Sequence, residues 1–109
     1  MTFEIGEFEV RIDAEAVRKI AGSDDVGAAL LVLGQIGEAE AKEHAPVDTG
    51  TLRRSITHEL REDSDGNQFV RIGTNVQYAV FQEFGTKFHA AHPFMRPAMS
   101  AIEEHLRTL

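Results

Sequence analysis

Pro46 is the strongest single constraint in this chain, because it stops a helix that the residues before it favour. Val26, Ala29, Leu30, Leu33 and Ile36 recur at intervals of three and four, which places them on one helical face. Ser23, Asp24 and Asp25 offer capping oxygens and negative charge at the positive end of that helix. Proline pushes Ala45 toward extended geometry, so the helix is expected to end at about His44. Unbroken, it would be roughly 30 Å long at about 1.5 Å per residue. Glu38, Glu40, Lys42 and Glu43 read as its solvated last turns. Gly34 and Gly37 lie inside it, each at a cost of about 1 kcal/mol against alanine. Close packing is one reason to keep them, and a kink is the other.

The flanking segments have different periods. Phe3 and Ile5 share one parity, whereas Phe8, Val10 and Ile12 share the other, with a slip at Gly6-Glu7. This reads as a bulged strand or as two short strands. Asp13 can cap a short helix carrying Val17 and Ile20, and Gly22 is placed to stop it. Beyond Pro46, residues 46–51 form a turn built on proline, aspartate and glycine. Leu52, Ile56 and Leu60 then fit a helix face or every second inward position of a strand. The polar residues 62–67, followed by Phe69-Val70-Arg71-Ile72, favour a β-hairpin whose first strand starts at Ser55 and whose end is closed by Gly73, Thr74 and Asn75. Tyr78, Ala79, Phe81, Gln82 and Phe84 suggest a short helix ending at Gly85. Residues 86–93 form an exposed loop, and Pro97 suits the first turn of a terminal helix to Leu109 striped by Ala98, Ala101, Ile102 and Leu106. The expected fold is α+β, one domain over residues 1–109, with a small antiparallel sheet against which a long helix and a C-terminal helix pack.

Charge narrows the partners. The formal net charge of −7 opposes adhesion to nucleic acid or anionic membrane. The excess is local, since residues 1–50 hold 11 acids against 4 Lys/Arg while residues 51–109 hold 7 of each. No apolar run is long enough to span a membrane, and the acidic Met1-Thr2-Phe3-Glu4 start lacks the basic region of a secretory signal, which suggests synthesis in the cytosol. Without cysteine the chain has no disulfide framework or thiolate metal site.

Catalytic and ligand-binding patterns are weak. His89 and His92 are three residues apart in the loop, but a zinc site needs three or four convergent ligands. A soluble binding module or small metal-dependent enzyme using that loop is the rival reading. Ser55, Ser64 and Ser100 read as strand, loop and helix residues rather than nucleophiles, and the glycines form no phosphate-cradling loop. Arg53 and Arg54 beside Arg61 are the notable basic cluster; phosphate contact is one reading, but the stronger one is a strand that exposes one arginine while the other pairs with an acid of a neighbouring chain. The chain is therefore expected not to be an enzyme and to need no cofactor.

Three blocks carry a family resemblance. Ala45-Pro46-Val47-Asp48-Thr49-Gly50-Thr51-Leu52-Arg53-Arg54-Ser55-Ile56 resembles the "APVDTGxLRxSI" signature of the small tail-component family of siphophages. Tyr78-Ala79-Val80-Phe81-Gln82-Glu83-Phe84-Gly85-Thr86 is similar to that family's "YAxxxExGT" segment, and His92-Pro93-Phe94-Met95-Arg96-Pro97-Ala98 to its closing "xPFxxPA" segment. The blocks occur in the family's order over residues 45–98, whereas the first 40 or so residues carry none.

The resemblance implies a tail-terminator-like or tail-completion-like structural protein of the virion. Such a protein forms a homohexameric ring at the head–tail junction, between the head connector or stopper and the tail tube or tail terminator, and DNA passes through without specific binding. It also implies that the motif positions Pro46, Asp48, Thr49, Gly50, Leu52, Arg53, Ser55 and Ile56 shape the protomer and its interfaces. The same holds for Tyr78, Ala79, Glu83, Gly85 and Thr86, and for Pro93, Phe94 and Pro97. An ion pair of Glu83 with Arg53 or Arg54, within or between subunits, is one expected use of these charges.

Overall fold

The computed structural model describes residues 8–21, 25–46 and 50–108. The elements run β1 (Phe8–Asp13), α1 (Ala14–Ala21), α2 (Val26–His44), α3 (Thr51–Ser55), β2 (Thr57–Glu62), β3 (Gln68–Thr74), α4 (Ala79–Phe84) and α5 (Met95–Arg107). The expected α+β plan is found. The expected strand through Phe3 and Ile5, the slip at Gly6-Glu7, the stop at Gly22 and the caps at Ser23 and Asp24 lie outside the described residues.

The strands form an antiparallel sheet in the order β1-β3-β2. Val10 faces Ile72 and Ile12 faces Val70 across one ladder, while His58 faces Ile72 and Leu60 faces Val70 across the other. The even-numbered side chains of all three strands therefore share one face, as the period of two requires. On the opposite face Arg71 lies between carboxylates, 3.0 Å from Glu59 and 3.6 Å from Glu9. Arg11 stacks there on Phe69, 3.8 Å from the ring centre.

The long helix is continuous, so its glycines answer to packing and not to a kink. A Cβ on Gly34 would lie 2.7 Å from His58 and 2.8 Å from Val70. On Gly37 it would lie 2.5 Å from Ile72 and 2.9 Å from Ile102. These positions bring α2 close enough to the sheet and to α5 for Leu30, Leu33, Val70, Ile72 and Ile102 to be buried together. The local signals at the helix ends act as expected: Asp25 accepts the Ala28 N–H, Asp13 accepts the Ala16 N–H, and Ala45 before the proline has an extended ψ of 137°.

Three expectations need correction. The chain turns through the helix α3 over Thr51–Ser55, and the strand begins at Thr57 instead of Ser55. The four-residue spacing of Leu52 and Ile56 is thus helical in origin, and both side chains are buried. A tertiary contact holds this turn, because Arg53 Nε donates to the Lys42 carbonyl at 2.9 Å, at the end of α2. Ser55, Arg53 and Arg54 are accordingly helix residues. Gly73 and Thr74 do not close the hairpin but end β3, with Gly73 paired to Glu9 on one side and Thr57 on the other. Glu38 is also less solvated than its sequence position suggests, since it contacts His58 at 3.0 Å and Lys42 at 3.2 Å.

Candidate functional site

The motif blocks fold into corners. In the first, Gly50 has φ 76° and precedes α3, and Ser55 donates or accepts a 2.5 Å hydrogen bond with Thr74 while its hydroxyl also lies 2.6 Å from the Leu52 carbonyl. Thr74 Oγ1 in turn accepts the Val76 N–H at 3.1 Å. A network of hydroxyls thus joins the first block to the end of β3, from which the chain leads into the second block. Asp48 and Thr49 lie outside the described residues.

In the second block, Glu83 is almost wholly buried, at 2% exposure. Its carboxylate accepts N–H bonds from Phe94 at 3.0 Å, Met95 at 2.8 Å and Arg96 at 3.1 Å. These are the free donors that every helix N-terminus presents, so Glu83 on α4 caps α5 from a distance. Arg96 adds a cation 3.8 Å from the same carboxylate. This corrects the expected pairing of Glu83 with Arg53 or Arg54: the carboxylate is consumed inside the protomer by the third block. Phe94, fully buried, anchors that block in the core.

Gly85 ends α4 with φ 76° and ψ 178°, and a Cβ there would lie 2.8 Å from the Ala91 nitrogen and 2.9 Å from the His89 carbonyl oxygen. Thr86 Oγ1 accepts the N–H groups of Phe88 and His89, both at 3.1 Å. His92 N–H bonds back to the Gln82 carbonyl at 2.7 Å. The loop after α4 is exposed, as expected, yet its backbone is specified by Gly85 and Thr86.

The ends of all three blocks meet at one open groove of about 560 Å³. Pro46 comes from the first, Tyr78, Phe81 and Thr86 from the second, and His92 from the third. Ala79, Leu52 and Ile56 are buried in the core, and Pro93 and Pro97 are half-buried. Phe81, part of the groove lining, is 59% exposed, and Phe84 and Phe88 are 60% and 77% exposed. Phe88 was not singled out by sequence reasoning; the available signal was three phenylalanines within a short segment that lacks any buried period.

His89 and His92 are exposed, and among the described residues no group of three or more His, Cys, Asp or Glu side chains converges on a point. His58 is engaged by Glu38, and His44 by the Glu40 carbonyl at 2.9 Å. Arg61 pairs with Glu59 on β2, whereas Arg53 is tied to α2, so the arginines do not act as one basic cluster. Among the described residues no helix is long and apolar enough to cross a membrane.

Residues 8–85 match the model of the family described as "Bacteriophage HK97-gp10, putative tail-component". The chain belongs to this HK97-gp10-like family. The match includes β1, α1 and α2, which lie before the recognised blocks, as well as the first block and the second as far as Gly85. Membership makes the chain a phage tail-related structural protein of the virion, with other virion proteins as its partners. No curated protein and no solved structure matches the chain significantly.

Proposed function

We propose that this HK97-gp10-like protein is a single-domain, tail-completion-like subunit that forms a homohexameric ring at the head–tail junction. The observation that carries the reading is the convergence of the three motif blocks on one exposed surface in a member of a tail-component family. Buried motif groups are spent on shape: Glu83 on the start of α5, Ser55 on Thr74, and Gly85 on a close backbone approach. What this scaffold presents outward is aromatic surface, which suits protein contact. The ring would join the head connector or stopper to the tail tube or tail terminator by repeating one heterologous contact until it closes.

Six copies would multiply the formal charge of −7 sixfold, and the acid excess lies wholly in residues 1–50. If that half lines the channel, phosphate is repelled and DNA passes without sticking. Phage particles made without the protein provide the test. DNA-filled heads and separate tails in negative-stain images are expected; intact virions would overturn the reading. Submicromolar duplex binding by the purified chain at low salt would refute the passive conduit.

A further inference from the structure

β1 and β2 are the outer strands of the sheet, and among the described residues no further strand pairs with either. Both are antiparallel to β3, so they run parallel to each other on opposite edges. The ladders set their odd-numbered residues, on the face away from α2, at matched levels. Glu9 and Thr57 flank Gly73, Arg11 and Glu59 flank Arg71, and Asp13 and Arg61 flank Phe69. One edge thus reads acid, base, acid, and the other hydroxyl, acid, base.

The two edges are complementary level by level. A second copy's β1 laid beside β2 brings its Arg11 to Glu59 and its Asp13 to Arg61. Opposite charges at neighbouring positions of adjacent strands attract, and like charges repel. A slip of two residues is penalised in either direction: one sets Glu59 against Asp13, the other sets Glu59 against Glu9 and Arg61 against Arg11. A slip of one residue turns the apolar side chains to the wrong face. Arg61 already pairs with Glu59, and Asp13 with the Ala16 N–H, but a guanidinium has five donors and a carboxylate about four acceptor sites, so each takes a second partner. On the inner face the same register puts Leu60 beside Ile12 and His58 beside Val10. Val10 and Leu60 are only partly buried in the protomer.

A second observation points the same way. Among the described residues, the buried side-chain oxygens without a hydrogen bond are Glu9 Oε2 and Thr57 Oγ1. Arg71 is 3.6 Å from the first, too far for such a bond. The two residues stand at one level on opposite edges, so the matched register brings the Thr57 hydroxyl, a donor, to the Glu9 carboxylate of the next copy.

We infer that the β2 edge of one copy pairs in parallel with the β1 edge of the next, so that the sheet continues from subunit to subunit. This deepens the ring reading and rests on it. A contact between unlike edges leaves one of each free after every addition, as ring closure requires.

The chain has no cysteine, so disulfide capture in the full chain reports only on introduced thiols. Glu9→Cys and Thr57→Cys variants, each checked by circular dichroism, are mixed at high concentration with an added oxidant. A disulfide-linked heterodimer is expected, and neither variant should dimerise alone. A chain carrying both substitutions should form a covalent ladder, because within one protomer β3 holds the two positions about 9.5 Å apart, beyond the roughly 7 Å a disulfide spans. Glu9→Cys mixed with Glu59→Cys, two residues out of register, should not link. If Thr57→Cys fails to fold, Arg11→Cys with Glu59→Cys probes the next level.

Absence of the heterodimer, a homodimer of either single variant, or equal linking out of register would overturn the proposal. The head–tail reading keeps its own test, since phage lacking the protein reports on the junction whichever surfaces build the ring.

Discussion

Glu83 on α4 accepts the Met95 N–H at 2.8 Å, so a side chain from one motif block supplies the helix cap of the next. Phe94 provides no side-chain cap of its own at that end of α5. Removal of Glu83 leaves three helix-terminal donors without their acceptor in a buried setting. Glu83→Ala is expected to lower stability by about 3 kcal/mol, and Glu83→Gln, which keeps one acceptor oxygen, by roughly half as much. Urea denaturation measures both, and equal losses would show that the acceptor is not what matters.

Gly85 and Gly66 both have positive φ but differ in surroundings. An added Cβ meets backbone atoms within 3.0 Å at Gly85 and nothing within 4 Å at Gly66. Gly66→Ala should cost about 1 kcal/mol, the strain of the left-handed region alone. Gly85→Ala should cost about 3 kcal/mol or more, because the loop backbone must also move. Thermal denaturation of the pair checks the order.

The α2 glycines separate propensity from packing. Gly27→Ala faces the flexible end of Gln68 at 3.1 Å and is expected to stabilise by up to about 1 kcal/mol. Gly37→Ala gains the same propensity but collides with Ile72 Cδ1, so a net loss of about 1 kcal/mol is expected. Ile72→Val removes the nearer of the two colliding atoms and leaves Ile102 Cδ1 in place. The double variant should recover part of the loss, with a coupling of about 0.5 kcal/mol or more in a double-mutant cycle.

Glu59 provides a pH signature. Partial burial raises its pKa, but hydrogen bonds and charge from Arg61 and Arg71 outweigh this and hold it below the usual 4.5. A carboxyl depressed on folding contributes stability that is present above its unfolded pKa and lost as pH falls through the folded value. Asp63 acts in the same sense, its pKa lowered mainly by the Asn67 N–H. Glu59→Gln should therefore flatten the fall in stability below about pH 4.5 and leave the slope near neutrality unchanged. An unchanged acid limb in urea titrations would contradict this origin.

The loop histidines test the rival reading. His89→Ala and His92→Ala should leave stability within about 0.5 kcal/mol, because the loop's internal bonds from those residues use backbone N–H groups. Assembly should also survive. Loss of bound zinc by elemental analysis, together with loss of an activity, would favour a metal module instead.

Local chemistry determined much of this protein directly from sequence. Asp25, Pro46 and the three- and four-residue apolar spacing set the course of α2, and the alternation of Val10 and Ile12 set the parity of β1, because caps, proline sterics and side-chain period act over a few residues. The apolar spacing of Leu52 and Ile56 did not distinguish helix from strand; the contact of Arg53 with the end of α2 accompanies the helical outcome. The same limit applies to Glu83. Its neighbours in sequence do not reveal that it is buried, since its partners lie 11 to 13 residues away and become donors only when α5 begins beside α4. Only the tertiary structure could turn that acid into a cap, because a carboxylate's role depends on which N–H groups the fold brings within hydrogen-bonding reach.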